Sequence, residues 1–186
     1  MTHAIVRFDK PQFTDVDALT RSGVCASDLD NGWVAQLLTQ SSTTGQGEVW
    51  TATVPTSANS GLKNLWMAAS PEVIEVIAAN GNVYKGIDSD PANFYSVAGE
   101  IIDFVRLEPG DLVTLTADAL TVGDPLASTY AVAHDSSWKL YWSTTNPATG
   151  LTLKYLATTF ISKGTAGAIS ETQQVVAYKF QVYATA

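Results

Sequence analysis

The sequence predicts an all-β fold, a single antiparallel β-barrel or sandwich-like domain with long loops and an N-terminal arm. Three observations predict it. First, two strand-like runs flank Glu108-Pro109-Gly110-Asp111 within Phe104 to Leu120. Pro at the second turn position presets φ, and Gly at the third accepts the positive φ of a type II turn. Second, side chains alternate with a period of two. Val113, Leu115 and Ala117 fall on one face and Leu112, Thr114 and Thr116 on the other, while Val176, Tyr178, Phe180 and Val182 share a face of the run Gln173 to Tyr183. Third, short apolar runs recur between turn signals, which suits roughly nine or ten strands in one β domain. We place the arm at residues 1–12 and the β-rich domain at residues 13–186.

In chain order, Ala4 to Phe8 is a short β-prone run that Pro11 ends. Asp15 to Arg21 reads as a brief helix or turn. Asn31-Gly32 is a hairpin-type turn signal, and Trp33 to Leu38 follows it as a strand. Glu48 to Val54 alternates and is closed by Pro55, and Asn64 to Ala69 reads as a buried strand. From Ser70 to Gly81 the signals compete. Ser70 and Pro71 suit a helix start and Asn80-Gly81 a stop, yet Val73, Ile74, Val76 and Ile77 are β-branched, so we expect a short extended piece and then a loop. Asp88 to Gly99 is loop. Glu100 to Leu107 and Asp111 to Leu120 are strands about the Pro-Gly turn. Thr129 to Ala133 and Trp138 to Trp142 are expected to pair across residues 134–137, and Leu151 to Ser162 is a long strand. Gly164 to Ser170 reads as a flexible loop before the last strand.

Of the 186 residues, 46% are hydrophobic, ample for a core, and only 15% are charged. Soluble domains usually carry ~25% charged residues. So much of the surface must be Ser, Thr, Asn, Gln and Gly, or be covered by partners. That favours an assembly subunit, although a free-standing, Thr-rich β domain has the same composition. The net charge of −8 repels phosphate, which argues against nucleic acid as a partner. No apolar run approaches the ~20 residues of a membrane span. The opening residues lack the pattern of a secretory signal, and the lone Cys25 has no partner for a disulfide within the chain. These features suit synthesis in a cytoplasm.

Catalytic and metal signals are sparse. His134-Asp135-Ser136 has the residue types of a hydrolase triad, but a triad converges from separate segments. Asp28, Asp30 and Asn31 miss the spacing of an EF-hand loop, and Asp88 and Asp90 lack a downstream acidic ligand. Either loop reads more simply as Asx turns. Glu72, Glu75, Glu100 and Asp103 would serve a glycosidase only if two faced each other within ~5 to 10 Å. We therefore expect no enzyme, no metal and no cofactor. The aromatics are more suggestive. Trp33, Trp50 and Trp66 lie in apolar runs and suit the core. Trp138 and Trp142 share a face with Leu140 while Tyr141 points the other way, so this trio could stack on sugar rings, anchor a subunit contact or pack inside.

Four segments together carry a resemblance: Leu29 to Leu38 with its L-x-N-G turn, E-V-W-T-A-T-V-P at Glu48 to Pro55, L-W-M-A-A-S-P-E-V at Leu65 to Val73, and R-L-E-P-G-D-L-V-T-L-T at Arg106 to Thr116. In this order they resemble the small structural proteins of tailed bacteriophages, of the capsid decoration, cement or head-fibre base kind. The similarity spans about residues 28–120, is looser in the C-terminal strands and is partial over Asp88 to Gly99. It operates at the level of fold and offers no catalytic residue. It implies a non-enzymatic virion protein on the capsid exterior, bound to the major capsid protein and to its own copies as a trimer or dimer. On that reading the arm, through Ile5, Arg7 and Phe8, adds to a neighbour's sheet edge, and Trp138, Tyr141 and Trp142 are further contact residues. The alternatives are a carbohydrate-binding β module or a head-fibre base using exposed aromatics.

Overall fold

The computed structural model describes residues 3–9, 11–43, 45, 47–56, 64–77, 79–87, 90–121, 123, 127–147, 150–163 and 173–184. Thirteen strands are described: β1 (Val6–Asp9), β2 (Thr20–Cys25), β3 (Val34–Gln40), β4 (Trp50–Thr53), β5 (Leu65–Ala68), β6 (Val73–Ile77), β7 (Val83–Ile87), β8 (Ile101–Val105), β9 (Leu112–Thr116), β10 (Tyr130–Val132), β11 (Tyr141–Ser143), β12 (Thr152–Lys163) and β13 (Gln173–Ala184). The described helical pieces are single 3₁₀ turns of three residues. The expected all-β class holds.

The strands form two principal sheets and a hairpin. A six-stranded antiparallel sheet has the order β1-β9-β13-β12-β10-β11, and β6 pairs with β7 alone. The remaining strands close a ring of pairings, β2-β4-β3-β5-β8 and back to β2. The ring is loosely joined, with only Met67 and Ala68 pairing β5 to β8 and a parallel contact between β2 and β4. Of the two architectures the sequence offered, the sandwich-like one fits.

The ring strands explain their own composition. In β5, Leu65 and Met67 pack into a core shared with Val113, Leu115, Leu153, Phe180 and Val182 of the six-stranded sheet. Trp66 and Ala68, pointing oppositely, fill the ring interior with Leu29, Ala35, Ile102 and Phe104. Val34 and Ala35 divide in the same way. A strand facing two cores must be apolar on both faces, and all four residues of β5 are buried. Phe180 is fully buried, a burial that stabilises by about 1.5–3 kcal/mol. Gly23 on β2 is a close-approach glycine: a Cβ there would lie 2.8 Å from the Phe104 ring.

The Pro-Gly turn forms as expected. Gly110 has φ of 103° and Asp111 N donates to Glu108 O at 3.0 Å. β10 and β11 pair antiparallel as expected, but the second strand begins at Tyr141, so the connection runs over residues 133–140 and not 134–137. One expectation needs correction, and two strands were not expected. The brief helix or turn expected over Asp15 to Arg21 is the 3₁₀ turn Asp17–Leu19, and the strand Thr20–Cys25 overlaps the end of that span, because the strand's partners β4 and β8 supply hydrogen bonds that local sequence does not reveal. Asn31-Gly32 does not join a hairpin, since β2 and β3 each pair elsewhere. Instead the Asn31 amide donates to Ser70 O and accepts from Ser70 N, both at 2.9 Å, tying this turn to the end of β5. The β-branched residues after Pro71 form the expected extended piece, which pairs as a hairpin with Val83–Ile87, a strand not expected from the sequence. The expected loop at Gly164 to Ser170 lies outside the described residues.

Candidate functional site

The N-terminal segment is built into the sheet of its own chain. β1 pairs antiparallel with β9 from Val6↔Leu115 to Asp9↔Leu112. Ile5 is 1% exposed, packs with Ala92, Ile161 and Ala177, and exchanges hydrogen bonds with Thr116 through Thr116 Oγ1 and Thr116 N. Its expected place at a contact surface is therefore corrected: an apolar β-branched side chain beside an open sheet face is buried there first. His3 reinforces the seat, with Nδ1 2.7 Å from Asp30 Oδ1 and its ring stacked on Tyr95, while Ala4 N donates to Asp30 Oδ2. Arg7 is exposed and paired with Glu72 through two contacts of 2.6 and 3.2 Å. Phe8 is half-buried, edge-on to Phe13 at 5.0 Å. Arg7 and Phe8 do meet, on the wall of a cleft of about 390 Å³ with Phe13, Ser70 and Pro71.

The aromatic trio separates. Trp138 packs against the ring interior and Trp142 against the main core. Trp142 lies among Tyr155, Tyr178 and Phe180 at centroid distances of 5.9, 5.3 and 5.5 Å. Tyr141 is stacked on His134 at 4.3 Å. All three are half-buried. The rings do not line up as one open row, because Leu140 is drawn fully inside between them.

The polar candidates are engaged locally. Asp28 accepts from Ala98 N, the Asp30 carboxylate from Ala4 N, and Asp90 caps the turn Pro91–Asn93 by accepting from Ala92 N. Asp88 lies outside the described residues. Among the described residues no three His, Cys, Asp or Glu side chains converge as a metal site would need. Glu72 pairs with Arg7, Glu100 accepts from Val97 N, and Asp103 lines another cleft, so these three carboxylates sit in different surroundings. Nothing is described of the Glu75 side chain. His134 Nδ1 lies 2.9 Å from Asp135 O, and Ser136 N donates to Pro55 O, as in a polar turn.

Two features were not legible in the sequence. One is a cleft of about 840 Å³ lined by Arg21, Glu48, Ile101 and Asp103. The Arg21 guanidinium sits 4.1 Å from the Trp50 ring centroid and 4.8 Å from that of Trp66, two cation–π contacts that hold the arginine in place. Only the ring pairings bring those three strands together. The other is the β6–β7 hairpin. Every residue of β7 is exposed, with Val83 at 51%, Tyr84 at 57% and Ile87 at 78%. Its partner residue Val73 is 47% exposed and borders a cleft with Tyr95 and Val97. The β-branched run Val73 to Ile77 was the available signal; what no residue pattern disclosed is that Val73 and all of β7 stay exposed.

No helix among the described residues is long and apolar enough to cross a membrane. No protein-family model matches the chain, and neither a curated protein nor a solved structure does.

Proposed function

We propose that this chain is a non-enzymatic virion structural protein that attaches to the outside of a phage capsid, as decoration or cement, through its contacts with the major capsid protein and with its own copies. The observation that carries the proposal is the β6–β7 hairpin. A two-stranded ribbon is marginal in water unless its apolar side chains pack on something. Here Val73, Val83, Tyr84 and Ile87 stay exposed. By the register, Val73 and Ile87 pair on one face of the ribbon and Tyr84 lies on the other, and a ribbon that exposes apolar side chains on both faces has surface for a partner to cover. The resemblance to tailed-phage structural proteins and the low charge support the same reading. Each copy contributes modest contacts, and many copies on a lattice give retention through valence, with no need for a deep pocket.

The test is co-sedimentation of the purified chain with assembled tailed-phage heads that lack their decoration protein. The chain should pellet to a saturating ratio, and Tyr84→Ser with Ile87→Ser should reduce occupancy at least tenfold while circular dichroism stays unchanged. A chain that stays in the supernatant and adds no density to the capsid lattice would overturn the proposal.

A further inference from the structure

Among the described residues, the six-stranded sheet has one long edge without a neighbouring strand. β12 pairs with β10 only from Thr152 to Lys154, and Tyr155 N donates to Thr129 O. Beyond that point, among the described residues, β12 pairs on one side only, with β13. The open stretch reads Leu156-Ala157-Thr158-Thr159-Phe160-Ile161-Ser162, without a charge or a proline. Leu156 is 45% and Phe160 59% exposed. Cross-strand, Phe160 meets Val176 and Thr158 meets Tyr178. The apolar row that is buried at Phe180 and Val182 thus continues outward along β13 until it is uncovered at Val176, 41% exposed.

Other edges of the fold are defended. β1 carries Arg7 and Asp9 and is followed closely by Pro11, β11 is only three residues long, and the β6–β7 hairpin carries Glu75 and Lys85. Charge, proline, shortness and bulges are the devices by which sheets discourage strand addition. From Ala157 to Ser162 the β12 edge has no charge and no proline, and its one irregularity, the register shift between Tyr155 and Ala157, falls where the open stretch begins. For this reason the strand-adding edge expected at the N-terminal arm is better placed here.

We infer that the edge Leu156–Ser162 is an interface with a second copy of this chain, the two β12 strands pairing antiparallel about a twofold axis at Thr159. This builds on the reading of the chain as an assembly subunit and names the surface through which its copies meet. The uncharged edge is the face through which a like copy can approach. Two chains of net charge −8 repel over most approaches. An edge without a charge from Tyr155 to Ser162 lets them close without setting like charges opposite one another. The sequence is also self-complementary about its centre. Thr159 faces its own copy, Phe160 faces Thr158 and Leu156 faces Ser162, so the row Val176–Phe160 of one copy runs into Thr158–Tyr178 of the other. A twofold contact of this kind is isologous and closes at two, so it yields a continuous sheet without an open-ended fibre.

The test places charge at the axis. Light scattering across a concentration series should give the wild-type chain twice its 19.8 kDa mass. Thr159→Lys and Thr159→Glu should each run as monomers with unchanged circular dichroism, since each sets like charges face to face. Mixing the two variants should restore the dimer. A wild-type chain that is monomeric at every concentration overturns the inference, as does an oligomer that neither variant disturbs. A monomer that still pellets with capsids refutes this interface and leaves the capsid reading standing, whereas a dimer abolished by these variants that never pellets does the reverse.

Discussion

Asp111 gives the sharpest prediction about how the fold is held. It is 1% exposed at the end of the Pro-Gly turn. Its Oδ1 accepts from Gln12 N at 3.0 Å and its Oδ2 from Glu108 N at 2.9 Å. Its backbone carbonyl accepts from Val182 N, and the neighbouring Gly110 N donates to Val182 O. One side chain therefore fastens the segment after β1 to the turn, and the turn is fastened to β13. Asp111→Ala leaves two backbone N–H groups without their acceptor. Each such loss costs about 1–3 kcal/mol. Part of the Gln12 site is reachable by water, and removing the carboxylate also removes its own dehydration cost, so we expect a net loss of about 2–4 kcal/mol. For a chain of this length that corresponds to a fall in Tm of roughly 5–15 °C. Asp111→Asn keeps one acceptor and turns an amide NH₂ toward the other N–H, so its loss should be smaller, about 1–2 kcal/mol. Urea denaturation followed by tryptophan fluorescence and circular dichroism measures both. An Asp111→Ala protein within about 0.5 kcal/mol of wild type would refute the reasoning, because water would then be replacing the carboxylate.

Two further predictions address packing and charge. Gly23→Ala places a Cβ 2.8 Å from Phe104 Cε2 and 3.3 Å from Leu37 Cδ2 inside the ring, so it should destabilise by about 1–3 kcal/mol in urea titrations, and Phe104→Leu in the same chain should recover part of that; a neutral Gly23→Ala would mean the ring has slack. The Arg7–Glu72 pair has its arginine 44% exposed, so a double-mutant cycle should give a coupling below about 1 kcal/mol that shrinks with added salt; a larger, salt-insensitive value would make this pair a true lock on β1.

The sequence by itself determined the β class, the Pro-Gly turn and most strand positions. Those features rest on local rules, namely the fixed φ of proline, the positive φ open to glycine and the two-residue period of a pleated strand. The run at β13 was legible for the same reason. Its single face was read correctly as Val176, Tyr178, Phe180 and Val182, yet the pattern could not say that the core stops partway along it.

The tertiary structure decided what each strand lies against. Thr20 to Cys25 is a strand because β4 and β8 flank it. Ile5 is inside because β9, Ala92 and Ile161 surround it. The Arg21 clamp on Trp50 and Trp66 depends on three strands distant in sequence. Alternation records that a side chain faces one way, while burial depends on which partner arrives there, and partners are chosen by long-range pairing. The two surfaces on which the functional proposals rest, the β6–β7 hairpin and the open edge of β12, carry apolar side chains that stay exposed because, among the described residues, no further strand pairs with them.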